Sequence, residues 1–363
     1  MLEKSKLHSL YIYLTDACNL KCTHCWQSAP LDESGKYSRL EFEPCRRFID
    51  DAIDMGLKGV TFSGGEPLLN KEFPKFAEYL TRKGIHMNLE TNGLLLSNPG
   101  IIDTIKNGMI YCAVSLDGVK SETHNLHRGV KTAYDRTVKN LKLFDETGLY
   151  YQIITAVSKF NYHELIPLME WIQKELKHCN TLKINIVSAV GRAKEMEEKG
   201  LLFKPHELPQ ITEDIAPLID KYPFKISLHI DPVFFSFKNL MRKYSCGGHC
   251  GYRSSLSILA NGKVSICSLG KEIPTYVFGH VTTIDLKDQW ENNVLLNAIH
   301  GDTHLNLKGI CSQCIFRMRC LGGCRAGTLF LTNDFFSPNP VCQEYFDSGY
   351  FPESRLINPN ISQ

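Results

Sequence analysis

From residue 10 to about residue 230, short apolar runs alternate with longer stretches whose apolar positions recur every three or four residues. The apolar runs predict strands over 10–14, 59–62, 86–90, 110–115, 150–157, 182–187 and 224–230. The amphipathic stretches predict helices over 42–55 (Phe48, Ile49, Ala52, Ile53), 73–82 (Phe76, Ala77, Leu80), 132–147 (Val138, Leu141, Phe144) and 163–176 (Leu165, Leu168, Met169, Ile172). Strand followed by helix, repeated, predicts a parallel sheet covered by helices. About six such units are legible, short of the eight that close a barrel. The expected fold is therefore α/β, a partial (β/α)6 TIM-like barrel.

After residue 244 the alternation stops. A hairpin is legible, 255–260 and 263–267, joined by Asn261-Gly262, the favoured pair for a tight type I′ turn. Residues 191–200 are highly charged and read as a loop or an exposed helix start. The segment after Phe351 carries two Pro-containing steps and reads as a loose tail. The expected organisation is a barrel over 1–230, a linker over 231–245, a cysteine-rich extension over 246–350 and a tail over 351–363.

Composition narrows the function. Of 363 residues, 43% are hydrophobic and 22% charged, a globular balance that excludes a disordered chain. Forty-one Lys and Arg face 39 Asp and Glu, so charge makes no case for nucleic acid or an anionic membrane. Residues 1–9 lack the apolar core of a signal peptide, and no apolar run is long enough to span a bilayer. A cytoplasmic location is expected, where thiols stay reduced and clustered cysteines read as metal ligands or catalytic groups. The chain has 14 cysteines, and 8 of them fall between Cys246 and Cys342.

Cys18, Cys22 and Cys25 form C-x3-C-x2-C directly after the first strand. In parallel barrels that loop opens on the functional face. Three thiolates in one wrapping loop suit an iron–sulfur cluster with one iron left open, while zinc remains a second reading of the triplet alone. One strand–helix unit later comes Gly64-Gly65-Glu66-Pro67. The glycines would bare backbone groups to a ligand, and Glu66 adds an acceptor.

Together these two motifs resemble the radical S-adenosylmethionine (radical SAM) enzymes. The resemblance implies a [4Fe-4S] cluster on the three cysteines, its open iron chelated by SAM, with Gly64, Gly65 and Glu66 against the methionyl amino group. It implies reductive cleavage of SAM to methionine and a 5′-deoxyadenosyl radical that abstracts a substrate hydrogen. His24 takes the place where the family favours an aromatic residue. By the same resemblance Thr91, Asn92, Ser115 and Arg128, at the ends of later strands or just beyond, are candidates for contact with SAM. Val190-Gly191-Arg192-Ala193 is similar to a segment near the adenine. An electron donor such as flavodoxin or ferredoxin is implied as partner.

The C-terminal cysteines read Cys246-x3-Cys250-x11-Gly262-x4-Cys267, then Cys311-x2-Cys314-x5-Cys320-x3-Cys324, then Cys342. Standing alone, this half would also suit zinc ribbons. Within radical SAM enzymes it resembles the SPASM extension, which holds two auxiliary clusters. The resemblance assigns Cys246, Cys250, Cys267 and Cys324 to one and Cys311, Cys314, Cys320 and Cys342 to the other, so that the chain would carry three [4Fe-4S] clusters. Cys45, Cys112 and Cys179 remain. Cys45 and Cys179, in or beside helical segments, read as packing residues. Cys112 reads as core, with hydrogen donation to a substrate radical as its other reading.

The SPASM group modifies peptides and proteins, so the expected substrate is a ribosomally made peptide and the expected product a crosslink, thioether or epimer. The alternative is small-molecule work such as tetrapyrrole oxidation. Ser268 stands where sulfatase maturases carry an Asp base, which speaks against that activity. Only about nine residues precede the first strand, so a separate leader-peptide-binding protein is expected if the substrate needs one. Glu90, Asp117, His229 and Asp231 are candidate bases.

Overall fold

The structure, a computed structural model, describes residues 6–31, 35, 37–240, 251–271, 273–301 and 303–357. Seven strands come first: β1 (Ser9–Tyr13), β2 (Gly59–Ser63), β3 (His86–Thr91), β4 (Tyr111–Ser115), β5 (Tyr151–Val157), β6 (Cys179–Ile186) and β7 (Lys225–His229). They fall on the seven predicted runs. The helices are α1 (Phe42–Asp54), α2 (Phe73–Arg82), α3 (Pro99–Gly108), α4 (Ser121–Arg128), α5 (Ala133–Asp145), α6 (Leu165–Glu175), α7 (Ala193–Glu198) and α8 (Leu208–Ile215). Four of them, α1, α2, α5 and α6, were legible from periodicity. The start of α3 is written in its cap instead: Asn98 accepts from Gly100 N at 3.0 Å, and Pro99 opens the first turn. Only Ile105 of α3 is buried, too thin a stripe for periodicity to find.

Strands β1 to β7 pair in sequence order, all parallel. Alternate residues sort onto two faces. Leu10, Ile12, Val60, Phe62, Met87, Leu89, Ile153, Leu182, Ile184, Ile226 and Leu228 are buried in one core. Phe62 meets Phe73 and Phe76 of α2 edge-on, at 5.3 and 6.3 Å between centroids. Each such buried side chain stabilises the fold by about 1.5–3 kcal/mol. The other positions, among them Tyr13, Ser63, Glu90, Lys183 and His229, form the concave face.

The C-terminal hairpin, β8 (Ser255–Ile258) and β9 (Lys263–Ser265), does not stand apart from this sheet. β8 runs parallel to β1, Ser9 opposite Ser255, and β10 (Val277–His280) follows outside β9. The sheet thus continues outward past β1 and ends at β7 and β10, open as the sequence predicts. The turn differs from the expected type I′. Leu259 N donates to Lys263 O at 2.8 Å and Gly262 N to Leu259 O at 2.8 Å, which makes a three-residue loop, Ala260 to Gly262. Gly262 sits at φ +77°, as the last residue of such a loop requires.

The remaining cysteines pack as expected, and the expectation for the tail changes. Cys179, at the start of β6 just beyond α6, and Cys45, in α1, are both buried in the core. Cys112 lies in β4 on the helix-facing side, fully buried, its Sγ 3.8 Å from Ile110 O. It does not face the concave side, so hydrogen donation from Cys112 is set aside. The tail is packed through Ile357: Ile315 N donates to Arg355 O and Ile357 N to Gln313 O, and Arg355 is buried with its guanidinium over Phe237. Among the described residues no helix is long and apolar enough to cross a membrane.

Candidate functional site

The loop after β1 carries Cys18, Cys22 and Cys25. Its two ends are tied together by Asn70, whose Nδ2 donates to Leu14 O at 2.6 Å and Leu40 O at 2.8 Å. The glycines after β2 press against this loop. Gly65 N donates to Thr15 O at 2.7 Å and Glu66 N to Ala17 O at 2.8 Å. A Cβ on Gly64 would strike Thr15 O, and one on Gly65 would strike Ala17 O. The expectation that both glycines bare their backbone to a ligand is therefore corrected for the N–H groups of Gly65 and Glu66: the cysteine loop uses them. Glycine is required here for close approach.

Glu66 is buried, and both its oxygens have partners. Oε1 accepts from Thr91 Oγ1 at 2.7 Å and Leu68 N at 3.2 Å; Oε2 accepts from Asn92 N at 2.8 Å. Burial pushes its pKa up to about 7, against those hydrogen bonds. Oε2 keeps an acceptor direction for a further donor. Asn92 reaches Asn19 Oδ1 at 2.7 Å and Cys18 Sγ at 3.9 Å. Thr91 and Asn92 thus join Glu66 to the first thiol. Ser115 ends β4, opposite Ile154.

Arg128 closes the other side. Its Nε lies 2.6 Å from Asp117 Oδ2, its Nη2 2.9 Å from Asp117 Oδ1, and its Nη1 3.8 Å from Cys22 Sγ. Burial would raise Asp117, but Arg128 and His127 hold it well below the usual carboxylate range. Asp117 also accepts from Ala156 N at 2.9 Å and lies 3.0 Å from His127 Nδ1. It is a fixed counter-ion, and the expectation of a base there is withdrawn. His24 stacks on His127 with centroids 4.1 Å apart, and burial, then His127, lowers its pKa well below the usual value. Ligand atoms of His24, Asp117 and His127 lie within 4.8 Å of one another. The Arg128 guanidinium on Asp117 makes that spot hostile to a second cation.

Arg192 grips the loop from outside. Nε donates to Cys22 O at 2.8 Å and Nη1 to Ala29 O at 3.0 Å, while Gly191, at φ +62°, allows contact with the carbonyls of Cys25 and Trp26. Gly129 does the same against Lys21 O at the end of α4. The sequence does not show that these residues meet the cysteine loop, because the partners are more than 100 residues apart.

In the C-terminal half, Cys311, Cys314, Cys320 and Cys342 line one cavity, with Asp231 among them. Asn339 N donates to Cys311 Sγ at 3.3 Å and Phe316 N to Cys314 Sγ at 3.4 Å, bonds that favour thiolates. Asp231 therefore belongs to this cage and not to the concave face of the barrel. Cys267 and Cys324 both act on the buried Tyr276, raising its pKa after burial. Cys246 and Cys250 lie outside the described residues.

The donor sets fit iron–sulfur clusters better than zinc. Zinc bound tetrahedrally at about 2.3 Å draws its sulfurs to about 3.8 Å from one another. Among the described residues no three cysteine sulfurs lie within 4.8 Å of one another. Thiols gathered in one loop or one cavity, yet spread this widely, suit a core of several irons.

Comparison with known proteins agrees. The radical SAM superfamily profile matches residues 12–172, and the profile of the SPASM iron–sulfur cluster-binding domain matches 246–315. The chain is a radical SAM enzyme with a SPASM domain. This radical SAM chain is 27% identical over 341 residues to the AdoMet-dependent heme synthase of Methanosarcina barkeri, covering 91% of this chain and 94% of that one. It is 24% identical over 336 residues to the PqqA peptide cyclase of Bradyrhizobium diazoefficiens, covering 92% and 85%. Among solved structures, Streptococcus suis SuiB bound to S-adenosylmethionine superposes with a TM-score of 0.73 at 21% identity, over 94% of this chain and 78% of that one. That likeness establishes the partial-barrel fold. In this radical SAM enzyme, sequence reasoning missed the roles of His127 and Gly129, and it singled out Arg192 only within the Val190–Ala193 segment and for a different contact, whereas the structure sets Arg192 on the cysteine loop.

Proposed function

We propose that this enzyme modifies a ribosomally synthesised peptide, forming a crosslink, a thioether or an epimer. Cys18, Cys22 and Cys25 hold one [4Fe-4S] cluster in this reading, with SAM against Glu66, Thr91, Asn92 and Ser115. Cys246, Cys250, Cys267 and Cys324 hold a second cluster, and Cys311, Cys314, Cys320 and Cys342 a third. When bound, the first cluster and SAM supply a hydrogen-abstracting radical. The chain's own part is to place and shield it: Asp117, Arg128 and Arg192 fix the cysteine loop. We further propose the division into barrel (1–230) and SPASM domain (246–350), a flavodoxin- or ferredoxin-type electron donor, and work in the cytoplasm.

The concave face carries the peptide reading. Toward the strand ends it presents Tyr13, Ser63, Glu90, Lys183, Asn185 and His229, with one ammonium and one carboxylate among them. A tetrapyrrole with several carboxylates calls for several free cations. The nearby guanidiniums are engaged: Arg128 by Asp117 and Arg192 by carbonyls. A mixed polar face suits a peptide. Burial, then Lys183, lowers His229 to about 4, so it stands neutral on this face. The heme synthase relative supports tetrapyrrole chemistry as the second reading.

The test is a mass spectrum. A short peptide encoded beside this protein is weighed before and after anaerobic turnover. Loss of two hydrogens means a crosslink; uptake of one solvent deuterium means epimerisation. An unchanged peptide while SAM is still cleaved, together with a coloured macrocycle on the purified protein, would replace this reading with the tetrapyrrole one.

A further inference from the structure

Asp231 lies two residues past the end of β7 and lines the cavity of the second cysteine cage. Its Oδ1 lies 3.8 Å from Cys320 Sγ. Its Oδ2 accepts from Asn339 Nδ2 at 3.0 Å. Asn339 also donates its backbone N–H to Cys311 Sγ and caps the helix Pro340–Asp347, which carries Cys342. One residue therefore orients the carboxylate and two of the thiols.

The space for that carboxylate is built in. Gly323 sits at φ +68°, and a Cβ there would crowd Asn339 Nδ2 and lie 3.1 Å from Asp231 Oδ1. Asp231 begins the short turn Pro232–Phe234, yet its side chain caps nothing there. Among the described residues no Lys, Arg or His forms an ion pair with it. Around its carboxylate stand Asn339, Cys320 and the other cage thiols, and the charge of Arg325 acts on it without forming an ion pair. A buried carboxylate facing four thiols is costly unless a cation meets it. Iron in the cage supplies one.

We propose that Asp231 is a fifth donor of the second cage, able to take the iron that Cys320 holds. This rests on the reading of the cage as an iron–sulfur site. The exchange breaks one iron–thiolate bond and forms one iron–carboxylate bond, with no change in electron count; the freed thiolate takes a proton from water. Carboxylate is the harder ligand. The Cys320 corner is then the one place where this otherwise closed cage can change its ligand set, and the ligand comes from the turn that follows the barrel's last strand.

The experiment uses the full chain, reconstituted anaerobically, with iron and sulfide counted per chain and the reduced protein examined by EPR. Cys320→Ala is expected to keep the wild-type iron load with a shifted EPR signal for this cage. Asp231→Asn alone is expected to keep the load and the signal of four-thiolate ligation. Cys311→Ala and the double variant Cys320→Ala/Asp231→Asn are expected each to lose about four irons, the content of one full cluster. If Cys320→Ala loses as much iron as Cys311→Ala, Asp231 is no donor. If the double variant keeps its iron, another group fills the corner and the proposal is equally overturned. A wild-type chain whose C-terminal half binds zinc without sulfide would instead overturn the iron–sulfur reading beneath it.

Discussion

Cys22→Ala, reconstituted anaerobically, will cleave no measurable SAM and will lack one cluster's worth of iron, while the C-terminal cages keep theirs. Cys22 is held in the loop through both its backbone and its sulfur. Its carbonyl accepts from Arg192 Nε at 2.8 Å and from Cys25 N at 3.3 Å, and its sulfur lies 3.8 Å from Arg128 Nη1. Changing a partner outside the ligand shell already costs roughly 10–100-fold in metal affinity or activity. Loss of the ligand itself removes one of only three protein attachments. Cys45→Ala is the control, because Cys45 is buried in α1 and packs with the hydrophobic core. It should keep full iron and full SAM cleavage. Iron analysis and chromatography of 5′-deoxyadenosine check both variants. Wild-type cleavage by Cys22→Ala would remove the loop from the chemistry.

The second large effect is on stability. Asp117→Asn leaves the Arg128 guanidinium buried without its counter-charge. Breaking a buried pair from one side costs about 3–5 kcal/mol. The new side-chain NH2 would also face a donor, because Asp117 holds Arg128 and Ala156 N through its two carboxylate oxygens. Arg128→Met should cost a similar amount. The double variant should recover part of the loss, since no unpaired charge then remains. Denaturant titration of the metal-free chains measures the cycle. Strictly additive losses would mean that the two residues do not act as a pair.

Much of the fold was legible because parallel strands buried by helices write continuous apolar runs, as Ile12 and Phe62 do. The cysteines were legible because a cluster needs thiols at short spacing. Other features were not, for one physical reason: their partners are distant in sequence. The pairing of β8 with β1 joins residues near 9 and 255. Arg192 reaches carbonyls of the loop after β1, and the cap of α4 is supplied by Glu164, which accepts from Val119 N at 2.8 Å and Lys120 N at 3.0 Å. The Asn261-Gly262 turn failed differently. The same dipeptide serves a two-residue and a three-residue loop, and the strand register, Ser257 opposite Ser265, makes the choice. The candidate bases were separated only by topology. Asp117 is locked by Arg128, Asp231 faces the cage, and Glu90 and His229 stay on the concave face, with Glu90 taking Ser63 Oγ at 3.0 Å.

The central claim is that the loop after β1 holds a cluster with one iron open to SAM. EPR of the reduced full chain, recorded before and after adding SAM, tests it most directly. The account predicts that one signal changes on adding SAM, that this signal is missing in Cys22→Ala, and that the remaining signals are unmoved. A spectrum indifferent to SAM, or a change that survives in Cys22→Ala, would contradict it.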